Sequence, residues 1–286
     1  MDAESEACPY AITVSMLSDK GCLRSGNEDY ASYAYPQPPC RRATRGLLAL
    51  VADGLGGHAA GEVASQMAVR IIEHAYYRDM AEPHRALQNA FSKANQNIYR
   101  TARRNACYQG MGTTCTSLVL RGPMAYCAHV GDSRLYLVRG NAIYLMTEDH
   151  SVVMQMQRQG LISQEQVRYH ADKNVLLRAL GTQPRVEVST WNQPFPIKLD
   201  DRFILCTDGL SDLVYEEEMQ AVACTEEPAT ACEQLIALAK TRGGYDNITV
   251  GVLRVNATAT AAWPEDVSLQ QATDRPPGNV AKEHPQ

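Results

Sequence analysis

Five aspartates stand next to short apolar segments of this chain, where a β-strand would begin or end. They are Asp29, Asp53, Asp132, Asp208 and Asp246. A single Asp-Gly pair is more typical of a turn. Five are more informative, because strand ends converge at sheet edges, where gathered carboxylates repel one another and resist desolvation. Divalent cations relieve that repulsion, and oxygen-only ligands suit Mg²⁺ or Mn²⁺ better than Zn²⁺.

Two such cations are a common arrangement for attack on phosphorus. In two-metal sites the ions lie about 3.5–4 Å apart, lower the pKa of a bridging water and orient the phosphate oxygens. No protein nucleophile is then needed. The chain has neither an H-E-x-x-H sequence nor a close pair of histidines along the chain, the patterns that would favour zinc. The carboxylates therefore predict metal-assisted chemistry on a phosphate group.

The elements that must position these carboxylates are mostly strands. Residues 47–52 form a continuous apolar run, which is typical of a strand buried on both faces. Further strands are predicted over 11–16, 113–120, 124–130, 133–139, 142–146, 202–206 and 248–255. Runs of strands flanked by helix pairs predict an α+β sandwich with largely antiparallel sheets.

Helices are predicted where apolar residues recur every three or four positions. One begins at about Gly61, a second spans 83–104 with Pro83 in its first turn, and a third spans 229–240. The apolar stripe of the first helix consists of Val63, Met67, Ile71 and Ala75. The predicted buried face of the second is Leu87, Phe91, Ala94 and Ile98.

The length and the local character of the chain predict one main domain. Of the 286 residues, 1–10 are interpreted as an N-terminal extension and 11–255 as the domain. Residues 256–286 lack an apolar period and are predicted to be a disordered tail. The polar stretch 150–180 is predicted to be mostly helical, with Gly160 as a break.

Composition excludes several classes of protein. A net charge of −5 argues against general nucleic-acid binding, which depends on clustered Lys and Arg. The acidic N-terminus is unlike a signal peptide, and no apolar run approaches the ~18 residues of a membrane span. We therefore expect a cytoplasmic protein without a membrane partner. The nine cysteines form no C-x-x-C pair, and Cys115, Cys127 and Cys206 lie in apolar runs, as buried thiols of a reducing compartment would.

Eight short motifs, in order, resemble those of the metal-dependent protein phosphatases (PPM, or type 2C), particularly the bacterial ones. The motifs are G-x-x-R-x-x-N-E-D at 21–29, V-A-D-G-L-G-G-H at 51–58, G-M-G-T-T at 110–114, H-V-G-D-S-R at 129–134, E-D-H-S at 148–151, L-R-A-L-G at 177–181, T-D-G-L at 207–210 and D-N-I-T at 246–249. The resemblance covers about residues 12–255. It implies an α-β-β-α sandwich, in which two antiparallel sheets pack face to face with helices outside.

The resemblance also implies an activity, the removal of phosphate from phosphoserine and phosphothreonine in proteins, with two Mn²⁺ or Mg²⁺ ions in the core of the site. Asp53 would bridge the two ions, and the Gly54 carbonyl would assist at one of them. Asp208 and Asp246 would complete the first metal site, and Asp29 would support the second.

Other residues take outer roles in this resemblance. Asp132, together with Asp208, would hold a third and looser ion, and Glu28 is a weaker candidate near the second. Arg24 would bind the substrate phosphate, which suits the planar fork of a guanidinium. His58 would either protonate the leaving oxygen or orient a water, although a histidine at a helix start can also simply bond to backbone.

The same resemblance sets expectations about partners. Residues 150–180 look like the variable flap that lies beside the active site in this family. Phosphoproteins would be the substrates, a cognate Ser/Thr kinase and its targets would be partners, and the protein would act as a monomer.

Two other chemistries fit fragments of the sequence. Residues 54–59 match the dinucleotide pattern G-x-G-x-x-A, but Asp53 would place negative charge beside the pyrophosphate. Cys115 and Arg121 match the C-x₅-R pattern of cysteine phosphatases, but positions six apart in a strand lie roughly 20 Å from each other. A catalytically inactive phosphoprotein-binding module is the remaining alternative. Lost metal aspartates would mark it, and none is lost.

Overall fold

The computed structural model describes residues 10–36, 44–56, 59–191 and 193–258. Thirteen strands lie within these ranges: β1 Tyr10–Asp19, β2 Tyr30–Ala34, β3 Leu47–Ala52, β4 Gly54–Leu55, β5 Gly112–Thr113, β6 Cys115–Arg121, β7 Met124–Val130, β8 Arg134–Arg139, β9 Ala142–Leu145, β10 Ser189–Thr190, β11 Phe195–Pro196, β12 Arg202–Cys206 and β13 Ile248–Ala257. Seven α-helices accompany them: α1 Ala59–Arg78, α2 Pro83–Arg104, α3 Val152–Arg158, α4 Gln164–Val167, α5 Asp208–Ser211, α6 Glu216–Thr225 and α7 Pro228–Thr241.

Two antiparallel sheets make the centre of the fold. One has the strand order β1-β13-β12-β8-β9, and the other has the order β10-β7-β6-β3-β2. The small strands β4 and β5 pair with each other beside them. Every strand pairing in the described part of the chain is antiparallel. This confirms the predicted antiparallel sheets and excludes the doubly wound parallel sheet of a dinucleotide-binding fold.

Three apolar layers show how the sheets and helices stack. In β3, Leu48 and Leu50 belong to the core shared with α1 and α2. Ala49 and Val51, on the opposite face, belong to the core between the two sheets. The outer face of the other sheet packs on α6 and α7. The order helix, sheet, sheet, helix is therefore confirmed, and β3 is buried on both faces as predicted.

The two long helices differ in how deeply their apolar stripes are buried. Helix α2 begins at Pro83, and all four residues of its predicted face are fully buried. Helix α1 begins at Ala59, and the predicted stripe is only partly buried at the edge of the core. The fully buried apolar residues of α1 are Ala64, Ala68, Val69, Ile72 and Tyr76. The predicted apolar stripe packs against the core beside them.

The flap was predicted to be mostly helical, and this was wrong. Only α3 and α4 are helical, and Gly160 separates them with a φ of 71°. Each is preceded by a serine N-cap, Ser151 or Ser163, whose hydroxyl accepts a bond from a backbone N–H of the first turn. Beyond residue 167 the flap is irregular. Its polar sequence offers no continuous apolar stripe that could stabilise a longer helix.

The first and last described strands, β1 and β13, lie at the two ends of the predicted domain. Strand β13 continues to Ala257, two residues past the predicted boundary, because Ala257 still pairs with Tyr10. Residues 1–9 and 259–286 lie outside the described residues, so the predicted extension and tail stay predictions. Among the described helices, none is long and apolar enough to cross a membrane. Cys115, Cys127 and Cys206 are buried and unpaired, as expected.

Candidate metal centre

The predicted carboxylates converge at one end of the sandwich, from strands of both sheets. Asp53 follows β3, Asp132 lies between β7 and β8, and Asp208 follows β12. Asp246 and Asp29 precede β13 and β2. Their proximity shows in their electrostatics, because each of Asp29, Asp53 and Asp132 has its pKa raised partly by carboxylates of this same set. The structure thus brings together all five of the aspartates singled out by sequence.

Asp29 is the most deeply buried of the five, with 6% of its surface exposed. Its Oδ2 accepts hydrogen bonds from Thr207 Oγ1 at 2.8 Å and from Thr249 Oγ1 at 2.7 Å. Its Oδ1 is buried with no hydrogen-bond partner among the described residues. Burial, followed by repulsion from Asp208 and Asp246, raises the pKa of Asp29 to about 7.

Asp53 and Asp208 lie close enough for each carboxylate to affect the pKa of the other. Burial first, and then the neighbouring carboxylates, hold the pKa of Asp53 well above its usual range. Burial, followed by Asp212 and Asp246, raises the pKa of Asp208 to about 6. Burial and mutual repulsion therefore favour the binding of protons or cations by these carboxylates.

These features test whether a cation would fit. Within the described ranges, no three His, Cys, Asp or Glu side chains are already arranged as a ligand set. A cation would therefore have to draw these carboxylates closer together. Asp208 Oδ1, like Asp29 Oδ1, is buried without a hydrogen-bond partner in the described part of the chain. Unpaired oxygens, raised pKa values and an oxygen-only donor set fit Mg²⁺ or Mn²⁺.

Gly54 lies where helix α1 and the loop before β2 come closest together. A Cβ atom at this position would be 2.3 Å from Gly61 O and 2.6 Å from Glu28 O. Only glycine fits there, which explains the Asp-Gly sequence by packing. The proposed role of the Gly54 carbonyl as a ligand stays a prediction, and so does the outer role of Glu28.

Arg24 lies at the rim of the cluster. Its Nη2 donates to Asp246 Oδ2 at 2.7 Å, and the two side chains are 54% and 32% exposed. Bonding to Asp246, against a smaller opposing effect of burial, raises the pKa of Arg24. Asp246 Oδ1 accepts a bond from the N–H of Asn247. A half-exposed guanidinium beside the carboxylates is suitably placed to meet an incoming phosphate.

Sequence reasoning missed the polar residues that hold this site in shape. Asn247 joins three points of the loop that carries Arg24, because its Nδ2 donates to Lys20 O and Gly26 O and its Oδ1 accepts from the Glu28 N–H. Thr207 and Thr249 anchor Asp29. Asn247, Thr207 and Thr249 each lie within one of the eight sequence motifs. Their positions in those motifs were the signal that could have identified them. His58 falls outside the described residues, so its role stays a prediction.

The structure also decides against the cysteine-phosphatase interpretation. Cys115 and Arg121 are the first and last residues of β6 and pair with opposite ends of β7, at Val130 and Met124. Burial raises the pKa of the Cys115 thiol far above neutrality, so it is not a nucleophile. The C-x₅-R match is a coincidence of spacing.

Comparison with known proteins agrees with this fold and site. The model of the protein phosphatase 2C family matches residues 34–240. The chain is 36% identical over 245 residues to serine/threonine phosphatase stp of Listeria innocua, covering 84% of this chain and 94% of that protein. It is 32% identical over 250 residues to protein phosphatase PhpP of Streptococcus pneumoniae, covering 86% and 98%.

Solved structures give the same result. The serine/threonine phosphatase PstP/Ppp of Mycobacterium tuberculosis matches with a TM-score of 0.76 and 33% identity, over 86% of this chain and 99% of that one. A structure of the PstP catalytic domain in complex with two manganese ions matches with a TM-score of 0.73 and 31% identity, over 86% and 99%. The chain belongs to the metal-dependent protein phosphatase 2C family.

Proposed function

We propose that this protein hydrolyses phosphoserine and phosphothreonine in other proteins, with two Mn²⁺ or Mg²⁺ ions as cofactors. The observation that carries the proposal is the cluster of carboxylates with raised pKa values and buried unpaired oxygens, next to a half-exposed arginine. Family membership adds the reaction class. A binding module without activity would gain nothing from so costly a concentration of charge.

The residues divide into those that hold cations and those that hold phosphate. Asp53, Asp208 and Asp246 would hold the first ion, and Asp53 and Asp29 would hold the second. The Gly54 carbonyl would assist at one of the two. Asp132 and Asp208 would hold a third, more weakly bound ion. When bound, such ions acidify a water and neutralise charge on the phosphate oxygens.

Arg24 would hold the substrate phosphate by paired hydrogen bonds from its guanidinium. In the structure one of those nitrogens, Nη2, donates a hydrogen bond to Asp246. A phosphate group would therefore compete with the Asp246 carboxylate for Arg24. His58 remains a candidate for protonating the leaving oxygen or orienting a water.

Metal dependence is the direct test. Protein dialysed against EDTA should not hydrolyse a phosphothreonine peptide, and added Mn²⁺ or Mg²⁺ should restore turnover. A titration with each ion decides which supports the higher rate. Full turnover in excess EDTA would overturn the two-metal mechanism. Binding of the phosphopeptide with metal, without any hydrolysis, would instead support the inactive binding module.

The wider setting follows from the same proposal. Phosphoproteins would be the substrates, a Ser/Thr kinase acting on the same targets would be the functional counterpart, and the enzyme would act as a monomer in the cytoplasm. Light scattering across a range of concentrations tests the oligomeric state. Phosphoproteomics of a deletion strain would identify the substrates.

A further inference from the structure

The turn that carries Asp132 is held on both sides by two consecutive residues of another segment. On one side, the His150 N–H donates to Gly131 O at 2.7 Å, and the Gly131 N–H donates to His150 Nδ1 at 3.1 Å. On the other side, Asp149 accepts from Arg134, with Nη2 2.6 Å from Oδ2 and Nε 3.0 Å from Oδ1. Asp132 therefore has fixed residues before and after it.

Gly131 is also confined from the opposite direction. Its φ is +111°, and a Cβ atom added there would lie 2.5 Å from the Thr114 Cβ. The Thr114 hydroxyl accepts from the Asp53 N–H at 3.0 Å and is 2.7 Å from the Ser133 hydroxyl. Gly131 thus lies between His150 on one side and the threonine that contacts Asp53 on the other. A shift of Gly131 would therefore alter the positions of Asp132 and Asp53, the two nearby carboxylates proposed to bind metal.

The hydrogen bonds determine the state of the His150 ring. Because a backbone N–H donates to Nδ1, a neutral ring must carry its proton on Nε2. Nε2 is 2.9 Å from Ser189 Oγ, which can accept a hydrogen bond from the Nε2–H group. Arg178 Nη1 lies 3.4 Å from the same nitrogen, but two donors cannot bond to each other. Burial, followed by His129 and Arg178, lowers the pKa of His150 to about 3, in agreement with a neutral ring.

We propose that His150 is a positioning residue for Asp132, acting through the bond from the Gly131 N–H to its Nδ1. This inference rests on the proposed function, since Asp132 matters only if it serves a cation. Both ring nitrogens of His150 have protein partners, Gly131 at Nδ1 and Ser189 at Nε2. Its role is to keep the turn in the one conformation that directs the Asp132 carboxylate toward the carboxylate cluster.

The test compares two neutral variants of similar size. In His150→Asn the amide oxygen can take the place of Nδ1 as acceptor for Gly131. In His150→Gln the amide lies farther out, nearer the place of Nε2, so Ser189 keeps a partner and Gly131 loses its acceptor. His74→Gln, an exposed histidine on α1, is the matched control.

The first readout needs no metal and no substrate. In metal-free protein, amide hydrogen exchange by NMR should show the Gly131 amide protected in the wild type and in His150→Asn. Protection should be lost in His150→Gln. A Gly131 amide in the wild-type protein that exchanges as fast as exposed amides would overturn the proposal without any variant, even if His150→Gln did not fold.

The second readout is turnover with saturating Mn²⁺. His150→Gln should lose roughly 5- to 100-fold in kcat on a phosphothreonine peptide, the range expected for a buried donor left unpaired. The loss on para-nitrophenyl phosphate should be smaller, because its leaving group needs little protonation. His150→Asn should stay within about threefold of the wild type. Equal losses in both variants, with equally lowered Tm, would overturn the positioning role and indicate packing alone. A wild-type protein without metal-dependent turnover would refute the proposed function instead, while the amide-exchange result would still report on the turn.

Discussion

The guanidinium of Arg24 is bonded to the carboxylate of Asp246, with Nη2 2.7 Å from Oδ2. The bond joins the residue proposed to bind phosphate to one proposed to bind metal, across 222 positions of the chain. Both side chains are partly exposed, so the pair contributes little to stability by itself. We therefore expect a phosphate group to compete with Asp246 for Arg24.

Arg24→Ala should chiefly weaken phosphate binding. The loss of a charge-assisted contact of about 1.5–3 kcal/mol corresponds to a roughly 10- to 150-fold lower kcat/KM, mostly through KM. Arg24→Lys should recover only part of this, because an ammonium cannot form the bidentate pair. Steady-state kinetics on a phosphothreonine peptide measure KM and kcat for both variants. An unchanged KM for Arg24→Ala would remove this residue from the substrate site.

Asp208→Asn should abolish turnover and yet stabilise the metal-free protein. The substitution removes one of the mutually repelling carboxylates while keeping the shape of the side chain. Melting in EDTA should therefore give a higher Tm than the wild type, and assays in excess Mn²⁺ should show no activity. Asp172→Asn, at an exposed position of the flap, is the matched control and should change neither. Near wild-type kcat in Asp208→Asn would show that the metal assignment is wrong.

The metal-free site should lose stability as pH rises. The pKa of Asp29 is raised from 3.8 to about 7, so between about pH 4 and 7 the folded state binds a proton at Asp29 that the unfolded chain releases. Stability from this group is complete below pH 4 and is lost as pH rises through 7. The buried His129, whose pKa burial lowers to about 4, acts in the opposite direction below pH 6.5.

The comparison that isolates Asp29 is wild type against Asp29→Asn in EDTA, because both proteins contain the same histidines. The wild type should lose free energy of unfolding relative to the variant from pH 4 to pH 7. Chemical denaturation at several pH values measures this difference. Added Mn²⁺ should reverse the loss in the wild type, because a cation stabilises the ionised carboxylates. A difference that does not change with pH would contradict the raised pKa of Asp29.

Asp132 and Asp53 should differ in the way their loss affects catalysis. Asp53→Ala should be inactive under every condition, because Asp53 is proposed to contact both core ions. Asp132→Ala should keep the core site and still bind substrate, because an ion held by one or two carboxylates keeps most of its waters and binds weakly.

The kcat of Asp132→Ala should fall more on a phosphopeptide than on para-nitrophenyl phosphate, because the leaving group of the latter needs little protonation. A Mn²⁺ titration with both substrates, together with Tm, measures the effect. Proportionally equal losses and a lower Tm would identify Asp132 as a turn residue only.

The local sequence was sufficient to predict an element's bounds and buried face where that element has a clear apolar pattern of its own. Strand β3 has the predicted bounds because six consecutive apolar residues can only be buried on both faces. Helix α2 begins at Pro83 and buries its predicted face because proline is tolerated in the first turn and its apolar residues are large. The aspartates could be recognised from their positions at strand ends, and the ordered motifs indicated the family.

What the sequence by itself determined was therefore the type of each main element, the family, and the set of carboxylates at the site. Only the tertiary structure decided how these parts meet. It showed that Thr207 and Thr249 hold Asp29, that Arg24 pairs with Asp246, and that His150 holds the turn before Asp132. Local periodicity reports which face of an element is apolar. Contacts between residues far apart in the chain depend instead on how the two sheets and the flap pack against one another, and this packing leaves no repeating mark in the sequence.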